Sequence, residues 1–117
     1  MKQKLNVAIV GAGFIGPIHL ENARRTFEAD VTALVGYTIE EAKEKAELYS
    51  VPRYYDNIDE MLEDDSIDVV HICSPNYLHY EMAKKVLLAN KHCVCEKPLT
   101  LTPAEAKELT ELAREKN

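Results

Sequence analysis

Apolar and polar positions follow two alternating patterns along this chain, and together they predict strands separated by helices. Short apolar runs rich in β-branched residues are typical of buried strands, whereas apolar residues spaced three or four apart mark one face of a helix. The first pattern predicts strands at residues 5–10, 31–35, 51–55, 68–73 and 92–95. The second predicts helices from residue 15, over 39–49, 58–63 and 77–89, and from 103 towards the end of the chain.

The order of these elements predicts the fold. Strands that alternate with helices are typical of a parallel sheet covered by helices on both faces. Right-handed crossovers then predict an α/β, Rossmann-like, doubly wound sheet with the strand order 3-2-1-4-5. Residues 1–117 are expected to form one domain, and the sixth strand that completes this strand order is expected to lie outside the chain.

Two helices are predicted to turn particular apolar residues towards the sheet. In the first helix these are Ile15, Ile18, Leu20, Ala23 and Phe27. In the helix at 77–89 they are Leu78, Met82, Val86 and Leu87.

Three glycines, Gly11, Gly13 and Gly16, follow the first predicted strand with the spacing G-x-G-x-x-G and lead into a helix. In this context the first glycine allows a tight turn, the second lets a pyrophosphate approach the backbone, and the third lets the helix pack close to the strand. The N–H groups of Gly13, Phe14 and Ile15 are expected to donate to the phosphates. A glycine-rich turn that binds nothing is the alternative, and the flanking strand and helix favour the dinucleotide site.

Composition and charge narrow the classes of partner. The chain is 46% hydrophobic and 29% charged, which is ordinary for a globular domain. Its net charge of −6 and the lack of a basic stripe argue against nucleic acid or an anionic membrane as a partner. No apolar run reaches the length of a membrane span, and no cleavage site follows the N-terminal apolar run, so a cytoplasmic location is expected.

The cysteines and two of the histidines are predicted to be structural. Strand alternation places Cys93 and Cys95 on one face and His92 on the other, which favours reduced core thiols over a metal site. Cys73 completes an odd number of cysteines without a disulfide framework. His19 and His71 are predicted, each by itself, to be packing residues and not ligands.

The first 98 residues contain three motifs: the GAGFIG loop, the SPNYLH stretch at 74–79, and Glu96-Lys97-Pro98 after the fifth strand. In this order they resemble the N-terminal domain of the Gfo/Idh/MocA oxidoreductases, a family that includes glucose–fructose oxidoreductase and inositol dehydrogenase. The resemblance implies dependence on NAD or NADP and action on sugars, polyols or related compounds. It also implies that residues 1–117 form the dinucleotide-binding domain and that a C-terminal α/β domain, which holds the substrate, lies outside this chain.

The same resemblance assigns roles to particular residues. Lys97 matches the catalytic-site lysine that contacts substrate and assists proton transfer. Glu96 and Asn76 match positions near the nicotinamide ribose, and His79 matches a residue that orders its loop. Cofactor binding is expected overall from Gly11, Gly13, Phe14, Ile15, Gly16, Gly36, Tyr37, Ser74, Pro75, Asn76, His79, Glu96 and Lys97.

One position departs from the usual pattern. Dinucleotide domains usually carry Asp or Glu about twenty residues after the fingerprint, where it binds the ribose hydroxyls. Here that position is Gly36, and the backbone and hydroxyl donors of Gly36, Tyr37 and Thr38 could surround a 2′-phosphate. The missing acid favours NADP slightly. The arginine that usually binds the 2′-phosphate is also missing at this position, and the nearest cation is Lys43. An Asp introduced at Gly36 is expected to shift the preference towards NAD.

Three functions remain after these observations. The first is the cofactor-binding part of an NAD(P)-dependent sugar or polyol dehydrogenase or reductase, inactive as this chain alone. The second is a stand-alone nucleotide-binding module without catalysis. The third is a methyltransferase, which has no use for the SPNYLH and Glu-Lys-Pro motifs at those strand ends.

The fifth strand is expected to be an edge of the sheet. It is guarded only by Lys91, His92 and Pro98, so pairing between two copies of the chain through this edge is expected.

Overall fold

The fold is a five-stranded, entirely parallel sheet in the order β3-β2-β1-β4-β5, as the sequence predicts. A computed structural model of the chain describes residues 4–11, 15–26, 28–74, 78–95 and 103–116, and for 15–17 only the backbone. The strands are β1 Leu5–Val10, β2 Ala29–Val35, β3 Arg53–Tyr55, β4 Val69–Ile72 and β5 His92–Cys95.

Five helices connect or follow these strands within the described ranges. They are α1 Ile15–Arg25, α2 Ile39–Leu48, α3 Ile58–Leu62, α4 His79–Leu88 and α5 Pro103–Lys116. Polar side chains cap two of them: the Thr38 hydroxyl accepts from Glu41 N at the start of α2, and Asn57 accepts from Asp59 N at the start of α3. Because each cap satisfies a backbone N–H that lacks a partner inside its helix, it marks where the helix begins.

Helices cover both faces of the sheet and create two hydrophobic clusters. The first lies under α1 and α2 and contains Val7, Ile9, Leu20, Ala23, Val31, Leu34, Ala42, Ala46 and Val51. The second lies under α3 and α4 and contains Ala8, Val10, Ala33, Val35, Ile58, Met61, Ile67, Val70, Ile72 and Val86. Alternate residues of β1 therefore face opposite clusters, as expected for a central strand buried on both sides.

Strand β2 carries an irregularity beside β1. The pairing register shifts so that Val7 lies opposite Val31 and the next residue, Ala8, lies opposite Ala33. Thr32 is the extra residue, and its buried hydroxyl has no hydrogen-bond partner in the described part of the chain. The extra residue explains why Val31 and Leu34, three positions apart, contribute to the same cluster.

The inward face of α1 differs from the prediction. Leu20 and Ala23 are buried as predicted, but 45% of Ile18 is exposed. Two residues along a helix correspond to a rotation of about 200°, so Ile18 points away from the sheet when Leu20 points towards it. The predicted inward position of Ile18 is wrong, and the side chains of Ile15 and Phe27 lie outside the described residues.

The inward face of α4 also differs from the prediction in part. Val86 is buried as predicted, together with His79 and Ala83, and Met82 packs against the second hydrophobic cluster as predicted. Leu78 and Leu87 are half-buried. His79 is polar, which is why hydrophobic periodicity alone does not include it.

Among the described residues, the edge at β5 has less protection than the sequence suggests. Lys91 is only 8% exposed, and its Nζ donates to the carbonyls of Asp64 and Ile67 at 2.9 and 3.0 Å. This lysine ties the loop before β4 to the start of β5, so the expectation that it guards the edge is wrong. His92 and Val94 are exposed, while pairing between copies stays a prediction.

Candidate functional site

The carboxyl ends of β1, β2 and β4 meet at one edge of the sheet around Gly11. Its N–H donates to the Val35 carbonyl at 2.8 Å, and Cys73 N donates to the Val10 carbonyl at 2.7 Å. Gly11 has φ +98°, and a Cβ there would lie 2.7 Å from the carbonyl carbon and oxygen of Cys73. Both the backbone conformation and the close approach of β4 therefore require glycine at this position. The turn is the tight turn predicted after the first strand.

Helix α1 begins just after this turn. Ile15 and Gly16 form its first residues, so their backbone N–H groups belong to the helix end that attracts anions. Several predicted site residues lie outside the described residues: Gly13, Phe14, Pro75, Asn76, Glu96 and Lys97. Their roles stay predictions.

The segment after β4 is held by α4. The ring of His79 is 1% exposed, and its Nε2 lies 2.8 Å from the Ser74 carbonyl oxygen. Because a carbonyl only accepts, Nε2 carries the proton and donates it. The Ser74 hydroxyl donates to the sulfur of Met82 at 3.1 Å. The contact fixes the Ser74 carbonyl relative to the start of α4, and the predicted role of His79 in ordering its loop stays a prediction.

The turn after β2 combines a tightly packed glycine with an exposed tyrosine. A Cβ on Gly36 would lie 2.9 Å from Ala42 N and 3.0 Å from its Cα, so α2 packs directly on the glycine. The Gly36 N–H already donates to the Tyr55 carbonyl at 2.9 Å, which removes it as a donor to a phosphate. Tyr37 is 87% exposed and presents a ring on which an adenine can stack.

Charges near this turn do not select one dinucleotide. Glu40 and Glu41 lie in the first turn of α2, and Lys43 is exposed further along the same helix. Carboxylates favour the free hydroxyls of NAD, and a cation favours the 2′-phosphate of NADP. Both signs occur within one helix turn of each other, so the local charge supports either cofactor.

A pair of histidines, His19 on α1 and His71 on β4, meets on the α1 face of the sheet. Their Nδ1 atoms are 2.9 Å apart, and the rings are edge-to-face with centroids 5.2 Å apart. Burial, and then the neighbouring His19, hold the pKa of His71 below its usual range. Their pairing was missed, since the predicted position of β4 beside β1 was the only signal for it, and their structural roles stay predictions.

The cysteines adopt the predicted arrangement on β5. Cys93 and Cys95 are half-buried on one face while His92 is exposed on the other, and none of the three cysteines forms a disulfide. Burial, together with the neighbouring Cys95, raises the pKa of the Cys93 thiol to about 12, so it stays protonated at neutral pH. No group of three potential metal ligands occurs among the described residues. None of the helices in those ranges is long and apolar enough to cross a membrane.

The sheet order, the glycine turn after β1 and the strand ends gathered around it define a Rossmann domain of the dinucleotide-binding kind. A family model described as "Oxidoreductase family, NAD-binding Rossmann fold" matches residues 5–117. The chain belongs to this family, the Gfo/Idh/MocA oxidoreductases, which confirms the resemblance seen in its motifs.

Three similar proteins illustrate the family. The D-glucoside 3-dehydrogenase of Escherichia coli K12 is 35% identical over 94% of this chain and 32% of its own length. A biliverdin reductase from Synechocystis, solved with biliverdin and NADP+, is 34% identical with a TM-score of 0.88 over 96% of this chain and 35% of its own. A levoglucosan dehydrogenase solved with NADH and L-sorbose is 30% identical with a TM-score of 0.88 over 97% and 32%. The chain thus spans about a third of the length of each of these proteins.

The close packing of α2 on Gly36 makes a prediction about stability. Gly36→Ala should lower the free energy of unfolding by about 1–3 kcal/mol, because the added methyl group meets backbone atoms of Ala42 that cannot rotate away. Urea denaturation measures the change. Tyr37→Ala, next in the chain and exposed, is the matched control and should change the free energy by less than about 0.5 kcal/mol. Equal stability of Gly36→Ala and the original chain would contradict the contact.

Proposed function

We propose that this chain is the cofactor-binding domain of an NAD(P)-dependent dehydrogenase or reductase whose substrate is a sugar, a polyol or a related compound. The observation that carries the proposal is the close contact of the Gly11 turn with the main chain of Cys73 and Ser74 at one edge of the sheet. Ligands of open parallel sheets bind in the crevice outside the carboxyl ends of the strands, where the strand order reverses. In this chain the reversal lies between β1 and β4.

The described residues at this edge support contacts to three parts of a nicotinamide dinucleotide. The first turn of α1 offers N–H groups to the pyrophosphate, and the exposed ring of Tyr37 offers a stacking surface to the adenine. At the other end, His79 holds the Ser74 carbonyl in place, which orients the segment assigned to the nicotinamide ribose. When bound, the nicotinamide supplies the hydride chemistry, and the chain's own residues bind, orient and exclude water.

The substrate class rests on the relatives and on one lysine. Two relatives are named a D-glucoside 3-dehydrogenase and a levoglucosan dehydrogenase, which supports a sugar or polyol here. Lys97, two residues after the end of β5, is proposed to donate to the reacting hydroxyl or carbonyl oxygen and to assist its proton transfer. The biliverdin reductase binds a different compound on a similar domain, so the substrate itself has to be found by assay.

Titration of the chain with NADH and NADPH tests cofactor binding directly. We expect dissociation constants in the roughly micromolar to millimolar range, weaker than for a whole enzyme because only one wall of the pocket is present. Calorimetry provides the constants, with adenosine and S-adenosylmethionine as ligand controls. Heat with S-adenosylmethionine and none with either dinucleotide would overturn the proposal in favour of a methyltransferase.

Tyr37 is the position at which to test the choice between NAD and NADP, because Gly36 cannot accept a side chain without displacing α2. Tyr37→Asp should weaken NADPH more than NADH, by roughly tenfold in the ratio of their dissociation constants, since a carboxylate repels the 2′-phosphate and accepts from ribose hydroxyls. Tyr37→Asn is the uncharged control of equal size. If both variants show the same ratio, charge at this turn does not determine the preference.

Lys97 makes a separate prediction for the longer protein that this proposal implies. Lys97→Ala should lower kcat by about a hundredfold or more, because the reacting oxygen loses its proton-transfer partner. Dinucleotide affinity should change much less, and Lys107→Ala on exposed α5 should leave both quantities unchanged. Steady-state kinetics on the preferred sugar or polyol and cofactor titration measure the two effects. A kcat within a few-fold of the original would remove Lys97 from the mechanism.

A further inference from the structure

The start of α4 lacks a side-chain cap. Leu78 occupies the N-cap position and makes no capping hydrogen bond, whereas Thr38 and Asn57 cap α2 and α3. Because the first N–H groups of a helix have no partner inside it, an uncapped first turn opens more easily than the turns that follow. α4 begins at His79, whose ring holds the Ser74 carbonyl. A contact that keeps this turn closed therefore also keeps the end of β4 in place.

A polar contact from α5 reaches this uncapped turn. The Tyr80 hydroxyl donates to one carboxylate oxygen of Glu108, and the Lys84 Nζ lies 2.8 Å from the other oxygen. Tyr80 and Lys84 are one turn apart on α4, and the ammonium lies 5.8 Å from the centre of the tyrosine ring. The three side chains, here named the Glu108 bridge, therefore join α5 to the first turn of α4.

The groups of the Glu108 bridge keep the protonation states that their contacts require. Hydrogen bonds from Lys84 and then from Tyr80 hold the pKa of Glu108 below its usual range. The hydrogen bond to Glu108 raises the pKa of both Lys84 and Tyr80. At neutral pH the carboxylate is therefore charged, the ammonium is charged and the hydroxyl keeps its proton. The side chains of Lys84 and Glu108 are 40% and 45% exposed, so salt screens their attraction.

Apolar packing holds α5 at few points. Among the described residues of this helix, Leu109 is the buried one. A groove of about 510 Å³ lies between α4, β5 and α5, lined in part by Leu87, Cys93 and Ala113. Leu109 anchors the backbone next to Glu108, so the carboxylate starts from a fixed position on an otherwise lightly packed helix. A directional polar contact is therefore well placed to set how α5 meets the start of α4.

We propose that Tyr80, Lys84 and Glu108 are positioning residues that hold the first turn of α4 closed and, through His79, keep Ser74 in the geometry that binds the nicotinamide end of the dinucleotide. The inference rests on the proposed function and extends it. The bridge acts through the helix start and not by contact with the cofactor. Its loss weakens binding of the nicotinamide end and leaves the adenine and pyrophosphate ends unchanged.

Two variants and a control isolate the bridge. Tyr80→Phe removes only the hydroxyl, whereas Glu108→Ala removes the carboxylate from both of its partners. Glu111→Ala, three residues further along α5 and exposed, is the matched control for the loss of one negative charge. Circular dichroism checks that each variant folds. Calorimetry gives the dissociation constants of NADH and of ADP, which contains the adenine and the pyrophosphate but lacks the nicotinamide ribose.

The bridge predicts a different result for each ligand. Glu108→Ala should bind NADH roughly two- to fivefold more weakly than Glu111→Ala does, the range typical of an exposed ion pair, and should bind ADP as the control does. The difference for NADH should shrink at about 0.5 M salt, where exposed charges are screened. Equal affinities of the two variants for NADH, or an equal loss for NADH and ADP, would overturn the bridge.

A double variant tests whether the hydroxyl acts through the carboxylate. Tyr80→Phe alone should weaken NADH binding in the same direction as Glu108→Ala. In the Glu108→Ala background it should cause no further loss, because the two substitutions remove the same interaction. Fully additive losses would contradict the coupling and overturn the bridge.

Amide hydrogen exchange without ligand observes the first turn of α4 directly. In an α-helix the N–H of each residue bonds to the carbonyl four positions earlier, so the amides of Ala83 and Lys84 report on the carbonyls of His79 and Tyr80. Removal of the bridge should expose these two amides to exchange. Amides in the last turn of α4 should not respond.

The exchange rates separate this inference from the proposed function. In Glu108→Ala the two reporting amides should exchange roughly two- to fivefold faster than in Glu111→Ala. Unchanged rates would overturn the bridge even if NADH binding were altered. Faster exchange at these amides, together with an original chain that binds neither NADH nor NADPH, would overturn the proposed function instead.

Discussion

The close contact between the main chains of Gly11 and Cys73 is the constraint on which the rest of the structure depends. β1 is the central strand, and both halves of the sheet are built outward from it. Only a residue with no side chain and a positive φ allows the end of β4 to lie within contact distance of the turn after β1. Any side chain at Gly11 would separate the two strand ends and widen the crevice between them.

Helices cover both faces of the sheet, and on each face one histidine forms a hydrogen bond at or just after β4. α1 and α2 cover one face, and α3 and α4 cover the other. On the first face His71 meets His19, and on the second His79 donates to the carbonyl of Ser74. The end of β4 is therefore held by hydrogen bonds from both layers, in addition to its pairing with β1 and β5. Directional bonds suit this place because apolar packing alone permits small sliding movements between layers.

The sequence predicts the elements, the strand order and the family because each depends on local pattern. β-branched runs, caps such as Thr38 and Asn57, and the glycine spacing are all visible without tertiary information. Features decided by contacts between distant segments were missed or misassigned. The Lys91 ammonium donates to two carbonyls that lie 24 and 27 residues away in the sequence. The two histidines that pair are 52 residues apart. The extra residue in β2 lies within an apolar run whose sequence does not indicate an irregularity. For the candidate site, the positions of the strand ends were predictable from the sequence. The hydrogen bond from the Gly36 N–H to the Tyr55 carbonyl was not.

Gly36 and Gly11 show that a glycine at a predicted cofactor site can be required for different reasons. At Gly11 the neighbouring backbone belongs to β4, and the glycine keeps two strand ends together beside the phosphate position. At Gly36 the neighbouring backbone belongs to α2, which leaves no room for a side chain. Helix packing therefore explains the absence of an acidic residue here without reference to the cofactor. A carboxylate for the ribose would have to come from the exposed turn or from Glu40 and Glu41 at the start of α2. The absence of an acid at Gly36 is therefore not by itself a mark of NADP preference, because helix packing already requires glycine there.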